Sequence, residues 1–478
     1  MGLKKNFFYN ATLTCANYIF PLIVYPYVSR VLGVSNIGLV NFIDSIINYF
    51  VLFSVMGISI TGIRQIASVK EDRAKLNSTF SSILTLNAIS TFIMLILLIV
   101  ATIFVPQLRE NYQLMAVGAL KLISNIFLIE WFYKGMEDFK YITLRSIVVR
   151  SFYVISVFIF VREKEDILNY YLLTCLVTFF NAIVNAIHSR KFVSFGIKNL
   201  NIKPLLSSFF ILGLYMILTS MYTTFNVTYL GFVTNTTQVG FYTTASKLYT
   251  IFVGLFTAFT NVMLPRMSAL ATNGNTEEFL KKYKQSIDLL ISFAIPVIVG
   301  VFIFAPEIIM LISGPGYEGA IAPMRIIIPL VLIIGYEQIL VIQILMPLKK
   351  DKIIFRNSMI GALVSVICNI TFVVKLGAIG SSITWVSCEI LILILSQIAL
   401  IKILPIHFDF KGLLKVILSY IPLMAILTII QQLHLNYLIS LSIGIAVSLL
   451  YMIMIIRFFT PSSNPLRVYL DKVLQKLY

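Results

Sequence analysis

Fourteen predominantly apolar stretches follow one another along this chain, near 7–30, 38–62, 78–103, 112–134, 143–161, 167–188, 206–232, 239–265, 284–312, 321–347, 353–375, 376–401, 412–431 and 435–458. Each is close to the roughly 20 residues that a helix needs to cross the hydrocarbon core of a bilayer. Hydrocarbon offers no hydrogen bonds, so a spanning segment must satisfy its own backbone, which a helix does. The expected fold class is therefore all-α integral membrane, with about fourteen transmembrane helices.

Composition agrees. Hydrophobic residues are 59% of the 478 positions and charged residues 12%, where soluble domains carry roughly 25% charged. The formal charge of +17 suggests nucleic acid at first sight, but the basic residues sit in short clusters between apolar runs. Loop placement explains them better. Alternate loops hold 28 and 5 of the 37 Lys and Arg residues; by the positive-inside rule both termini are cytoplasmic. Arg145 is counted with the cytoplasmic loop cations, beside Lys134 and Lys140. Lys4 and Lys5 precede the first apolar run without a small-residue cleavage site, so that run reads as a retained span and not a signal peptide.

No loop is long enough for a domain. The segment from Thr276 to Gln285 reads as a short amphipathic helix on the membrane surface, and the tail from Phe459, broken by Pro461 and Pro465, as a surface anchor. An internal repeat sets the larger organisation. Gly38 and Arg64 are separated by 26 residues, as are Gly240 and Arg266, at an offset of 202, and an alanine follows each arginine by three. Leu32-Gly33 answers Leu230-Gly231 after a four-residue insertion. These matches predict two pseudo-symmetric six-helix lobes in parallel orientation plus a C-terminal helix pair. The lobes would be 1–205 and 206–405, with 406–478 holding the last two spans and a cytoplasmic tail. Parallel halves are a transporter feature, with substrate bound at the repeat interface.

Ionisable residues inside spans are costly, so each is a candidate site. The cations are Lys121, Arg150, Lys247 and Arg325, with Arg30 at the outer end of the first span. The acids are Asp44, Glu130, Glu337 and Glu389, with Asp288 and Glu307 nearer span ends. Guanidinium and ammonium donors suit a diphosphate head group; the competing reading pairs them internally, for example Lys121 with an acid. Pro21 and Pro26 mark the first span as a bending helix, while Pro296, Pro323 and Pro329 kink the ninth and tenth.

Four cysteines show no CxxC or close pairing, and His188, His407 and His434 are scattered near span ends, so neither disulfides nor a metal site is expected. No phosphate loop, HExxH or DDxxD motif occurs, and the outward loops are short; an enzyme is not expected.

Several motifs resemble the Wzx-type polysaccharide flippases of the multidrug/oligosaccharidyl-lipid/polysaccharide exporter superfamily. They are Tyr25-Pro26-Tyr27-Val28-Ser29-Arg30-Val31-Leu32-Gly33 with Ile37-Gly38, Arg64-Gln65-Ile66-Ala67, Glu130-Trp131-Phe132-Tyr133-Lys134-Gly135, Val239 to Lys247, and Leu376-Gly377-Ala378. The resemblance implies a bacterial inner-membrane flippase of O-antigen or capsule units. It would carry an undecaprenyl-diphosphate-linked oligosaccharide outward by alternating access, with Arg30 and Lys247 as the cavity cations. Lys121, Arg150 and Arg325 rest only on their position inside apolar spans. It also implies coupling to a proton or sodium gradient, with Asp44, Glu130 or Glu337 as the coupling acid and no other cofactor. Partners would be membrane lipids, a polysaccharide polymerase and a chain-length regulator, and not nucleic acid. The alternatives are a cation-coupled multidrug antiporter of the same superfamily or a flippase for a lipid II-like precursor.

Overall fold

The computed structural model describes residues 3–196, 200–404, 409–433 and 435–459, with 467 and 471. His407, His434 and the tail prolines Pro461 and Pro465 lie outside the described residues. Among the described residues all regular structure is helical. The chain divides into two compact units, Met1–Gly240 and Phe241–Tyr478.

In the first unit the principal helices are α1 (Leu3–Val55), α2 (Ile58–Val69), α3 (Arg73–Phe104), α4 (Tyr112–Ser124), α5 (Glu130–Gly135), α6 (Phe139–Phe160), α7 (Ile167–Ser189), α8 (Lys203–Ser220) and α9 (Phe225–Val233). Next comes α10 (Thr236–Thr272), which begins in the first unit and continues in the second. The second unit adds α11 (Thr276–Ile303), α12 (Ala305–Ile312), α13 (Ile321–Ile327), α14 (Leu330–Gln338), α15 (Asp351–Cys368), α16 (Ala378–Ile403), α17 (Phe410–Ser419), α18 (Ile421–Gln432) and α19 (Tyr437–Phe459).

Thirteen helical segments among the described residues are long and apolar enough to cross a membrane, against the fourteen expected. The first of them, Thr12–Val69, is 58 residues, about twice the length of one crossing, and it holds two of the expected spans. Its break is at Gly33, where φ is 76° and ψ is 169° inside α1. A Cβ there would meet nothing within 4 Å, so conformation and not crowding calls for glycine. Pro21 and Pro26 lie upstream within the helix. The repeat-related Gly231 behaves differently: it stays inside α9, where a Cβ would strike the Phe42 ring.

Short polar loops start the helices. Asp72 accepts from the N–H groups of Ala74 and Lys75, each at 3.1 Å, Asp138 caps α6, and Asn275 caps α11, as N-cap residues do. The caps also correct one expectation. Thr276–Gln285 is not a separate surface helix; it is the first third of α11.

Within the first unit, α1 packs on α3, α4, α6 and α9, and Phe80, Trp131, Phe132 and Phe209 centre one apolar cluster. The second half of α1 is tied to α8 and α9. Ser45 Oγ meets Thr228 Oγ1 at 2.8 Å, Tyr49 donates to the Ser220 carbonyl at 3.2 Å, and Phe42 packs edge-on against Phe232. In the second unit α18 and α19 pack on α11, around Ile295, Phe304, Tyr420, Leu423 and Leu427. Large apolar side chains such as Phe92, Phe104 and Phe152 stay exposed, as lipid-facing residues must.

The two repeat glycines meet. A Cβ on Gly38 would collide with the Thr236 carbonyl and the Gly240 N, and one on Gly240 with the Val34 carbonyl. Ser35 and Thr236 hydroxyls bond beside them at 2.7 Å. Small residues let backbones approach this closely in a membrane. Gly38→Leu should therefore destabilise the detergent-solubilised protein by about 1–3 kcal/mol, the usual penalty of overpacking, seen as a lowered thermal midpoint. Gly196→Ala, where a Cβ meets nothing within 4 Å, should leave the midpoint unmoved; equal midpoints for both variants would refute the tight crossing.

Candidate functional site: charges held within the membrane helices

Two charged networks lie in the first unit. Asp44, in the second half of α1, receives the Lys121 ammonium of α4 at 2.7 Å, the Tyr171 hydroxyl of α7 at 3.2 Å and the Asn48 amide at 3.0 Å. Both charged side chains are largely buried, at 25% and 19% exposure. Two expected site residues, one named for substrate and one for ion coupling, are thus each other's partner. Their opposite charges cancel where the surroundings solvate neither.

The second network surrounds a break in the membrane span of residues 112–135. Helix α4 ends at Ser124, residues 125–127 form a single tighter turn, and Ile129 leaves the helical region before α5 begins at Glu130. The freed Leu128 carbonyl accepts from Asn185 Nδ2 at 2.6 Å. Glu130 is held by Arg145 Nη2 at 2.9 Å and Lys134 Nζ at 3.3 Å. Arg145 also donates to Asn185 Oδ1 and to Ser146 Oγ, and Tyr133 and Tyr141 hydroxyls bond Asn185. Arg145 is 6% exposed, so it belongs to the interior of α6 and not to the loop cations with which it was counted. Arg150, half-buried, lies within electrostatic reach of Glu130 and Arg145.

The second unit holds a different arrangement. The carboxyls of Glu337 of α14 and Glu389 of α16 lie close enough to interact. The Trp385 indole donates to Glu389 Oε1 at 3.0 Å, and Glu389 is 3% exposed. A carboxylate only accepts hydrogen bonds, so a bond between two carboxyls needs a proton on one of them. Removing that proton would place two like charges side by side in a low-dielectric interior. Trp385 packs edge-on against Tyr249 of α10 and stands near Tyr242. Lys247, half-buried, lies on α10 between those two tyrosines in sequence. Tyr336 donates to Gln397 at 2.6 Å and meets Tyr283 at 2.9 Å.

Other expected residues make contacts of their own. Arg30 is exposed and donates to the Pro26 carbonyl at 2.6 Å. Arg325 donates to the Phe302 carbonyl at 2.9 Å and lies 5.4 Å from that ring's centroid. Glu307 accepts from Gln431. Arg30, Lys121, Arg150, Asp44 and Glu130 belong to the first unit, and Lys247, Arg325 and Glu337 to the second. Sequence reasoning missed Arg145, Asn185 and Tyr171. The paired Asn181 and Asn185 inside an apolar run were the available signal.

The profile of the family described as "Polysaccharide biosynthesis protein" matches residues 3–271. Two relatives are both named "Putative O-antigen transporter". The one from Escherichia coli (strain K12) is 27% identical over 397 residues, covering 82% of this chain and 95% of its own. The one from Shigella dysenteriae is 25% identical and covers 82% and 98%. Among solved structures, the lipid II flippase MurJ in its inward closed conformation superimposes with a TM-score of 0.77 at 17% identity, over 94% of this chain and 99% of that one. An outward-facing multidrug resistance MATE family transporter of the MOP superfamily reaches 0.57 at 13% identity, over 80% and 91%. With an all-helical, multi-pass membrane fold shared with these transporters and a profile match over more than half its length, this chain belongs to the polysaccharide biosynthesis protein family.

Proposed function

We propose that the protein is a flippase. It takes an undecaprenyl-diphosphate-linked oligosaccharide from the cytoplasmic leaflet of the bacterial inner membrane and releases it in the outer leaflet by alternating access. The observation that carries this reading is the near end-to-end correspondence with O-antigen transporters, joined to cations placed inside membrane helices. A diphosphate calls for guanidinium and ammonium donors in a low-dielectric wall. Arg30, Arg150, Lys247 and Arg325 are the residues that fill this role, while Lys121 acts through Asp44, which already holds it. The basic loops orient both termini to the cytoplasm. No step of this reading makes or breaks a covalent bond, so the protein is a transporter and not an enzyme.

Coupling falls to the proton. Asp44 and Glu130 are each neutralised by cations, whereas Glu337 and Glu389 neighbour each other, where two ionised carboxyls would repel and a proton on one relieves them. Releasing and regaining it changes the charge of the second unit's interior by one, which is the kind of event that biases two conformations. The oligosaccharide polymerase and its chain-length regulator are the partners this substrate implies.

Two measurements in proteoliposomes test the reading. Arg30→Ala with Lys247→Ala should slow flipping of the lipid-linked oligosaccharide by about tenfold or more, since hydrogen bonds to charged groups contribute roughly 1.5–3 kcal/mol each. Undiminished flipping by the folded double variant would end the cationic-site mechanism. Glu337→Gln with Glu389→Gln keeps an acceptor for Trp385 but leaves no carboxyl of the pair to exchange a proton. In that variant an imposed pH gradient should no longer accelerate flipping, and a sodium gradient should have no effect on either protein. Persistent acceleration by the pH gradient would remove the pair from coupling.

A further inference from the structure

Beside the break in the fourth membrane span lies a cavity of about 140 Å³, within the first unit, that the coupling and diphosphate roles leave unused. Its polar lining comes from Ser59, Asn87, Asn125, Glu130 and Lys134, with Trp131 beside them. Three features mark it as built for a ligand.

The first is an orphaned acceptor. Asn87 is 2% exposed, and its Oδ1 has no hydrogen-bond partner. Its amide nitrogen faces the carbonyls freed by the helix break, 3.4 Å from Asn125 O and 3.5 Å from Ile126 O. That contact fixes which end of the amide is left over. A buried acceptor left unmade is costly, so a donor that reaches it is favoured.

The second feature is the carboxylate of Glu130. Each of its oxygens is held by one cation, Arg145 or Lys134. A carboxylate offers about four acceptor positions, so capacity remains for hydroxyl donors. Lys134, with three donors, brings the complementary hydrogen. Both side chains are about a third exposed, at 33% and 36%, so the mouth is reached from outside.

The third is size and lining. The volume has room for several waters, and an indole with an apolar body and polar edge sits in its wall. A hydroxyl both donates and accepts. A ring carrying several hydroxyls answers an amide oxygen, a carboxylate, an ammonium and a serine at once, which an anion, having only acceptors, does not.

We propose that this cavity is a sugar subsite, taking one sugar residue of the transported oligosaccharide, with Asn87 Oδ1 accepting from a ring hydroxyl and Lys134 donating to another. The assignment rests on the flippase reading for the source of the sugar. It differs from that reading in locating a neutral recognition element away from the cations that meet the diphosphate.

The chain has two tryptophans, one lining the cavity and one beside Glu389, so fluorotryptophan labelling gives two fluorine resonances, assigned with Trp131→Phe. Full-length protein in lipid nanodiscs is titrated with a free hexose, a free N-acetylhexosamine and inorganic phosphate. The Trp131 resonance should shift saturably with at least one sugar in the millimolar range and stay still with phosphate, while that of Trp385 stays still throughout. Asn87→Leu should weaken the sugar's half-saturation at least about tenfold. Because that variant also uncovers backbone carbonyls, Ser59→Leu, which fills the mouth and leaves the amide in place, should do the same. No shift with either sugar, a shift with phosphate alone, or unchanged titrations in both variants would overturn the subsite. Flipping assays on the same samples separate the two claims. Normal flipping without a sugar response defeats only the subsite, whereas a sugar response that survives in a protein unable to flip any lipid-linked oligosaccharide defeats only the flippase reading.

Discussion

Hydrocarbon takes no hydrogen bonds from a protein, and most of this structure follows from that refusal. A soluble helix that breaks in mid-course hands its loose carbonyls to water. Here the break after Ser124 is possible because Asn185, one helix away, turns its amide onto the Leu128 carbonyl and its oxygen to Arg145 and Tyr141. Arg145 is in turn tolerable because Glu130 receives it. The network is coupled through one side chain, and Asn185→Leu would strand the Leu128 carbonyl and the Tyr141 hydroxyl and take one acceptor from Arg145.

The same constraint sorts the buried charges into two kinds. In the first unit acid meets base, as Asp44 with Lys121 and Glu130 with Arg145 and Lys134. The Asp44–Lys121 pair is neutral, the Glu130 cluster carries one surplus cation, and both hold helices in register. In the second unit Glu337 and Glu389 meet each other. An acid–acid pair has no fixed neutral form except through a proton.

How much of this was legible in the sequence depended on the range of the signal. The spans were readable because hydrophobic length is a local property, and most agree with the helices within a few residues. Gly33 was readable as a feature, since it was matched in a repeat, yet its left-handed backbone was not shared by Gly231. The break at Ile129 left only a faint mark, the polar Ser124-Asn125 pair, because 112–134 is otherwise apolar except at Gln113, Lys121, Glu130 and Lys134. Arg145 was misplaced for a physical reason: it follows Lys134 and Lys140 closely, and a count of loop cations has no means of seeing that α6 has already begun. Lys121 and Asp44 were both singled out, but 77 residues separate them, and nothing in one sequence says which buried charges face each other.

Gly33 has a mechanical consequence. It divides α1 into two rods joined by one pair of torsions, with no side chain at the joint to obstruct rotation. The rod after the joint is bolted to its neighbours by Ser45, Tyr49 and the Asp44–Lys121 pair. The rod before it turns Ile19, Leu22 and Ile23 outward to the acyl chains. Lipid offers those side chains the same dispersion contacts at every angle, so on that face the membrane acts as a bearing, and only the protein-facing contacts of the first rod set how stiffly it is held.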